Sequence, residues 1–220
     1  MTGFFISVGV FLAGHIIPGL LRERLVKRIG YVPYIIAFSI LSIFLFGWVI
    51  HEVLIAESFP LWDHQTWQAR LLVIAMLPAC ILWACAILQP CPLSIGRKNG
   101  FDPEKPGINR LTRHPLLLGM VIWGLGHTIA NGDLVAVVFF GGSGIFALMG
   151  VARMEKIRLR DLAPDQQGPI LATTRRFDLS GLMHGAIRGR DLIVGIILYV
   201  ILLIGHGHVI GLDPLAMAGW

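Results

Sequence analysis

The residues of this 220-residue sequence best suited to coordination or proton transfer are its eight histidines, and their placement divides them. His15 and His127 fall inside apolar runs of membrane length, whereas the others lie at or beyond the ends of such runs. An imidazole held in hydrocarbon is costly, so an intramembrane histidine is a site candidate by default. Two kinds of chemistry suit it. The ring can hydrogen-bond a neighbouring helix, or it can give a nitrogen lone pair to a metal ion or a haem iron. For His15 the residues alone leave both readings open.

His127 belongs to the stretch Arg113–Asp133, RHPLLLGMVIWGLGHTIANGD. His114 precedes it by 13 residues. At 100° per residue the two rings point about 140° apart and stand ~20 Å apart in height, so they cannot share one ion. His114 is expected to be exposed at the membrane interface, with Pro115 at the first helical position. His127 shares a helix face with Met120, Trp123, Gly124 and Asn131. Gly124 leaves an indentation there, walled by Trp123 and Met120. That pattern serves equally as a seat for a planar aromatic cofactor or as a seam for a packed helix. Measured from the basic end of each helix, His15 lies at ~10 Å and His127 at ~20 Å, depths that permit pairing from different helices.

Other polar residues in apolar surroundings are weaker candidates. His51, beside Glu52, and His64 fall at a water boundary, where an imidazole is cheap to keep, and His51 is the better of the two. His206 and His208 project ~200° apart on a helix and do not converge. Arg70 either snorkels to the interface or pairs an anion such as a haem propionate, for which a guanidinium fork is suited. Cys80, Cys85 and Cys91 match no zinc or iron–sulfur spacing and read as small apolar packing residues.

The elements that position these residues follow from composition. The chain is 55% hydrophobic and 14% charged, against about 25% charged in soluble domains. Six apolar stretches, near 2–21, 31–55, 68–89, 115–130, 134–152 and 191–210, can cross a bilayer, which takes ~20 residues. The fourth and fifth, joined at Asn131-Gly132-Asp133, must form an antiparallel hairpin. The expected fold is an all-α integral membrane bundle of about six helices forming a single domain over 1–220. The N-terminal run has no basic residues ahead of it and reads as a retained first span.

Net charge is +5, and 17 of the 18 Lys and Arg residues fall in three connections on one side of such a bundle. This positive-inside pattern makes the basic loops 90–113 and 153–190 cytoplasmic and both termini periplasmic. The basicity is thereby topological, and nucleic acid is excluded as a partner. Loop 90–113, rich in Pro and Gly, is expected to have no fold of its own, and EKIRLRDL in 153–190 to be a charged turn or a short surface helix.

The RHP, W-x-x-x-H and NGD elements of Arg113–Asp133, with His15, His51, the LWD of Leu61–Asp63 and the run after Gly107, resemble the NnrU family of bacterial membrane proteins. The plant and cyanobacterial zeta-carotene isomerases are similar to it. The resemblance implies a haem b bound in the helical bundle of a multi-pass inner-membrane protein, with His15 and His127 as axial ligands and His51 and His114 as further family positions. It implies one of two roles. The first is haem-dependent isomerisation of an apolar polyene such as 15-cis-zeta-carotene. The second is a non-enzymatic haem protein supporting denitrification and nitric oxide metabolism, with a respiratory redox partner. The isomerase branch can carry a cysteine in the turn before the late histidine, where this sequence has Gly124.

Overall fold

The computed structural model covers residues 1–220 and is all-helical, with one isolated bridge, Pro60 to Asp133, and no strand. The apolar runs become α1 (Thr2–Leu20), α3 (Tyr31–Ile55), α4 (Thr66–Leu88), α5 (Pro115–Asn131) and α9 (Gly189–Ile210). The fifth predicted span becomes α6 (Leu134–Ala136), a π turn (Val137–Gly141) and α7 (Gly142–Asp161). Five of these stretches, counting 134–161 as one, are long and apolar enough to cross a membrane. The sixth, α5, has 17 residues, about 26 Å at 1.5 Å each, and falls short of that length. Shorter helices are α2 (Arg22–Ile29), α8 (Pro164–Thr173) and α10 (Pro214–Ala218).

The chain forms two compact units. The first holds Met1–Leu61 with Asp133–Phe139. Its helices α1 and α3 pack through small-to-large contacts: a Cβ on Gly14 would run into the Leu45 side chain, and one on Gly3 into Glu52. Glu52 accepts from Trp48 Nε1 at 3.1 Å, and the Tyr34 hydroxyl donates to the Pro18 carbonyl at 3.3 Å.

The second unit holds Trp62–Gly132 with Phe140–Trp220. Helix α4 is its centre and packs against α5, α9 and α10. Cys80 and Cys85 in α4 and Cys91 beyond it are buried free thiols, in keeping with a packing role. The expected hairpin of α5 and α7 is present. A Cβ on Gly124 would lie 2.6 Å from the Phe140 carbonyl oxygen and 3.0 Å from Gly144 N, so the backbones touch there.

The NGD turn is built from local chemistry. Gly132 caps α5 in the left-handed region (φ +69°), and a Cβ there would meet the Trp62 carbonyl at 2.5 Å. Asp133 caps α6 by accepting from Ala136 N at 2.8 Å. The 62–65 loop docks on the end of α5 through Trp62 Nε1 to Ile129 O (3.1 Å) and His64 Nδ1 to Ala130 O (3.0 Å).

The basic connections differ from expectation. Segments 90–113 and 153–190 are folded onto one another rather than loose. Leu82, Cys85, Cys91, Ile108, Leu111 and Ala186 form a buried cluster. Gln89 is its polar hub: Nε2 donates to Ala186 O and to the fully buried Asp191, while Oε1 accepts from Ile108 N at 2.8 Å. The charged run after Arg153 continues α7 to Asp161, because Glu, Lys, Arg and Leu are strong helix formers. Inside this layer Glu155 accepts from Arg113 Nη1 at 3.0 Å and from Arg176 Nε at 2.9 Å.

Candidate functional site

His127 lies four residues past Trp123 on α5, and its Nδ1 stands 2.8 Å from the Trp123 carbonyl. A carbonyl only accepts, so Nδ1 carries the proton and Nε2 carries the lone pair. The ring stacks on Phe140 (centroids 4.6 Å apart, planes at 24°) and leans on Trp123 (5.3 Å, 48°). Trp123 and Phe140 themselves meet edge to face at 5.0 Å. The π turn at Val137–Gly141 belongs to this site, since Phe140 lies within it.

His15 repeats the arrangement in the first unit. Its Nδ1 stands 2.8 Å from the carbonyl of Phe11, again four residues back, and fixes the same tautomer. Phe11 lies against the ring at 4.2 Å and Phe38 of α3 meets it edge-on at 5.5 Å. Each imidazole thus has an aromatic partner at i−4 on its own helix and a second aromatic from elsewhere in the chain. An Nδ1–H held by a carbonyl is the arrangement that orients a histidine for donation through Nε2. His64, His184 and His206 carry the same kind of bond, to Ala130, Ser180 and Leu212 carbonyls. His206 shares this bond within apolar α9, four residues from its end as His127 is from the end of α5, and acts electrostatically on His127; the aromatic rings packed on each imidazole set His15 and His127 apart.

The other candidates have different surroundings. Gly124, expected as an open indentation beside the ring, is closed by the Phe140–Gly144 backbone. The wall opposite Trp123 is Phe140, and Met120 packs instead with Leu117, Val121 and Ala147. Arg70 is exposed at one end of α4, and its Nε donates to the Ala218 carbonyl at 2.8 Å, capping α10. His51 is exposed on α3, while His206 and His208 lie within an unbroken α9.

His114 is the clear departure. Expected at an exposed interface, it is 1% exposed, and neither ring nitrogen has a hydrogen-bond partner. Glu155 Oε2 lies 3.7 Å from Nε2, beyond hydrogen-bond reach. Burial lowers the His114 pKa despite that carboxylate, so the ring is neutral and the contact is not an ion pair at neutral pH.

No three His, Cys, Asp or Glu side chains converge as a site for a bare ion. A haem brings four nitrogens of its own and needs only one or two donors from the protein, and His15 and His127 each present an Nε2 lone pair of that kind within their own unit. The model of the NnrU protein family matches residues 4–214. The chain belongs to the NnrU family. No curated protein and no solved structure matches it.

Phe11, Phe38 and Phe140 join the histidines only in the folded chain. A signal for the first of them was present: FLAGH at 11–15 and WGLGH at 123–127 share an aromatic residue four before the histidine and a glycine just before it. Phe140 had no local signal, because the π turn that carries it is not marked by any residue pattern in Val137–Gly141.

Proposed function

We propose that this NnrU protein is a membrane haem b protein in which His15 and His127 supply the two axial nitrogens. The observation that supports it is their shared tautomer: Nδ1 is bonded to the i−4 carbonyl at 2.8 Å in both, leaving Nε2 as the donor. Phe11 and Phe38 at one ring, and Trp123 and Phe140 at the other, present apolar faces suited to a porphyrin's edge. Bound there, the iron would supply one-electron redox chemistry, while the Phe11 and Trp123 carbonyls hold the Nδ1 protons of the two rings. Arg70 would offer its remaining guanidinium nitrogens to a propionate. In this reading the basic connections face the cytoplasm, both termini face the periplasm and the membrane is the bacterial inner membrane, following the positive-inside distribution.

Two uses of the haem are open to the family fold. One is isomerisation of an apolar polyene of the 15-cis-zeta-carotene type, with no net redox change. The other is electron transfer, sensing or accessory work in nitrogen-oxide respiration. Gly124 favours the second, because no thiol stands beside His127 and a larger residue would collide with the Phe140 carbonyl.

The absorption spectrum of the purified protein tests the haem. A Soret band is expected, lost in both His15→Ala and His127→Ala variants that remain folded. A colourless folded protein, or a band that survives both substitutions, refutes it. Expression in carotenoid-producing cells that lack their own isomerase separates the two uses. Persistence of the 15-cis isomer there removes the enzymatic one, and unchanged nitric oxide turnover after gene deletion under denitrifying conditions removes the other.

A further inference from the structure

A cleft lies in the folded basic layer of the second unit. The turn Gly107–Arg110 and the segment Arg175–His184 form its walls, tied by Arg175 N to Asn109 O (2.8 Å) and Asp178 N to Leu111 O (2.8 Å). Gly181 packs on this seam so closely that a Cβ would lie 2.6 Å from Leu111 N. Two adjoining cavities of about 250 and 430 Å³ open here, sharing Pro106, Arg110 and His184. Neither includes His15 or His127.

The cleft is cationic. Arg110 and His184 line both cavities, Arg175 lines the smaller one, and Lys105 and Arg188 the larger. None of the four Arg and Lys residues is in an ion pair, although Asp178 lies within electrostatic reach of Arg175; the ion pairs of the protein join Glu155 to Arg113 and Arg176, and Asp191 to Arg190. Arg175 spends only Nη1 on the protein, donating to Ala172 and Thr174 carbonyls. Two carboxylates reach the cleft, Glu104 and Asp178, and Asp178 is already occupied in accepting from Ser180 N at 2.9 Å. A surplus of unpaired cations in a preformed cavity is suited to a phosphate group.

A second observation indicates what carries that phosphate. The same segment exposes four large apolar side chains outside any membrane-length helix: Phe177, Leu179, Leu182 and, at 88% exposure, Met183. Apolar side chains clustered beside a basic cavity match the boundary between acyl chains and headgroups, where Lys and Arg attract anionic lipid. A soluble phosphate compound would leave these side chains in water. We propose that this cleft binds the phosphate headgroup of an anionic phospholipid, with Phe177, Leu179, Leu182 and Met183 seated among its acyl chains. The site is independent of haem.

Native mass spectrometry of the full-length protein released from detergent tests it, with titration by phosphatidylglycerol, phosphatidylcholine and inorganic phosphate. The first phosphatidylglycerol is expected to bind in clear preference to phosphatidylcholine. Lys105→Gln with Arg110→Gln, whose side chains bond nothing else in the protein, should weaken it roughly 30-fold, from the usual contribution of each basic residue near a membrane. Leu179→Ser with Met183→Ser should weaken phosphatidylglycerol binding and leave any binding of inorganic phosphate unchanged. Equal binding of the two lipids, or phosphatidylglycerol binding unaffected by the charge variants, overturns the proposal. Displacement of the lipid by inorganic phosphate at comparable concentration overturns the lipid assignment in favour of a soluble phosphate ligand.

Discussion

Replacing Gly124 by alanine tests the packing that shapes the His127 site. The added Cβ would lie 2.6 Å from the Phe140 carbonyl oxygen, 3.0 Å from Gly144 N and 3.1 Å from Gly144 Cα. All three obstacles are backbone, so no side chain can rotate away and α5 must separate from the π turn and α7. Overpacking of this kind costs about 1–3 kcal/mol. For a chain of this size that lowers the thermal midpoint by roughly 2–12 °C. The control is Gly142→Ala in α7, in the glycine-rich run that Gly124 packs against, where nothing lies within 4 Å of the added atom. There the better helix propensity of alanine is worth up to about 1 kcal/mol in the stabilising direction. Both variants would be followed by tryptophan fluorescence on heating in one detergent. Because Phe140 stacks on the imidazole, Gly124→Ala should also move any Soret band while Gly142→Ala leaves it in place. Equal midpoints for the two variants would show that the α5 contact does not depend on backbone proximity at Gly124.

Further outcomes follow from the basic layer. Gln89→Ala orphans Ile108 N–H and removes a donor from buried Asp191, so a loss of about 2–4 kcal/mol is expected in denaturant titration, with Gln89→Glu no rescue because it cannot donate to Asp191. Glu155→Ala leaves Arg113, 11% exposed at its side chain, without its carboxylate and should cost about 3 kcal/mol. A much smaller loss would mean that the carbonyls of Leu171 and Thr174 suffice to hold that guanidinium. His114 gives a pH signature. Its folded pKa is depressed below the ordinary 6.5, so below that value the unfolded chain takes up a proton that the folded chain does not. Stability should fall as pH drops through 6.5 and be independent of this group above it, and His114→Gln should flatten the acid limb of a midpoint-against-pH plot.

The spans were legible because hydrocarbon selects long apolar runs, and the NGD turn because Gly132 and Asp133 act through their own backbone neighbours. The boundary of the fifth span was less so. Hydropathy ends near residue 152, but the Glu, Lys, Arg and Leu residues that follow keep the helix going to Asp161. The folding of the basic connections left no local trace. Cys91, Ile108, Leu111 and Ala186 are scattered singly among prolines and glycines, and they become a core only when Gln89 bonds across 19 and 97 residues of sequence to Ile108 and Ala186. The same long-range closure buries His114. From sequence it looked like a residue at a helix entrance, which was right, but the entrance lies beneath segment 174–176, with Arg113 N bonded to Arg175 O at 2.7 Å.

What α5 does with its polar side chains explains why His127 stands out. Thr128 Oγ1 donates to Gly124 O at 2.7 Å, Asn131 Nδ2 to His127 O at 2.7 Å, and His127 Nδ1 to Trp123 O at 2.8 Å. Each is satisfied one turn back along its own helix, so none of these bonds ties α5 to a neighbour, and contact with α7 is made by packing, closest where Gly124 meets Gly144. A hydroxyl or an amide treated this way can remain in an apolar setting at little cost. An imidazole cannot be wholly satisfied so, because its second nitrogen points away from the carbonyl that holds the first. In α1, Ser7 turns back to Phe4 O and His15 to Phe11 O in the same manner, again leaving Nε2 of the histidine. The two helices therefore conserve the same leftover, a lone pair in apolar surroundings. Replacing either histidine by asparagine, which keeps a donor for the i−4 carbonyl but lacks a ring nitrogen at that reach, should preserve the fold and abolish ligation. Loss of the fold in His127→Asn would instead make the imidazole a packing element between Trp123 and Phe140.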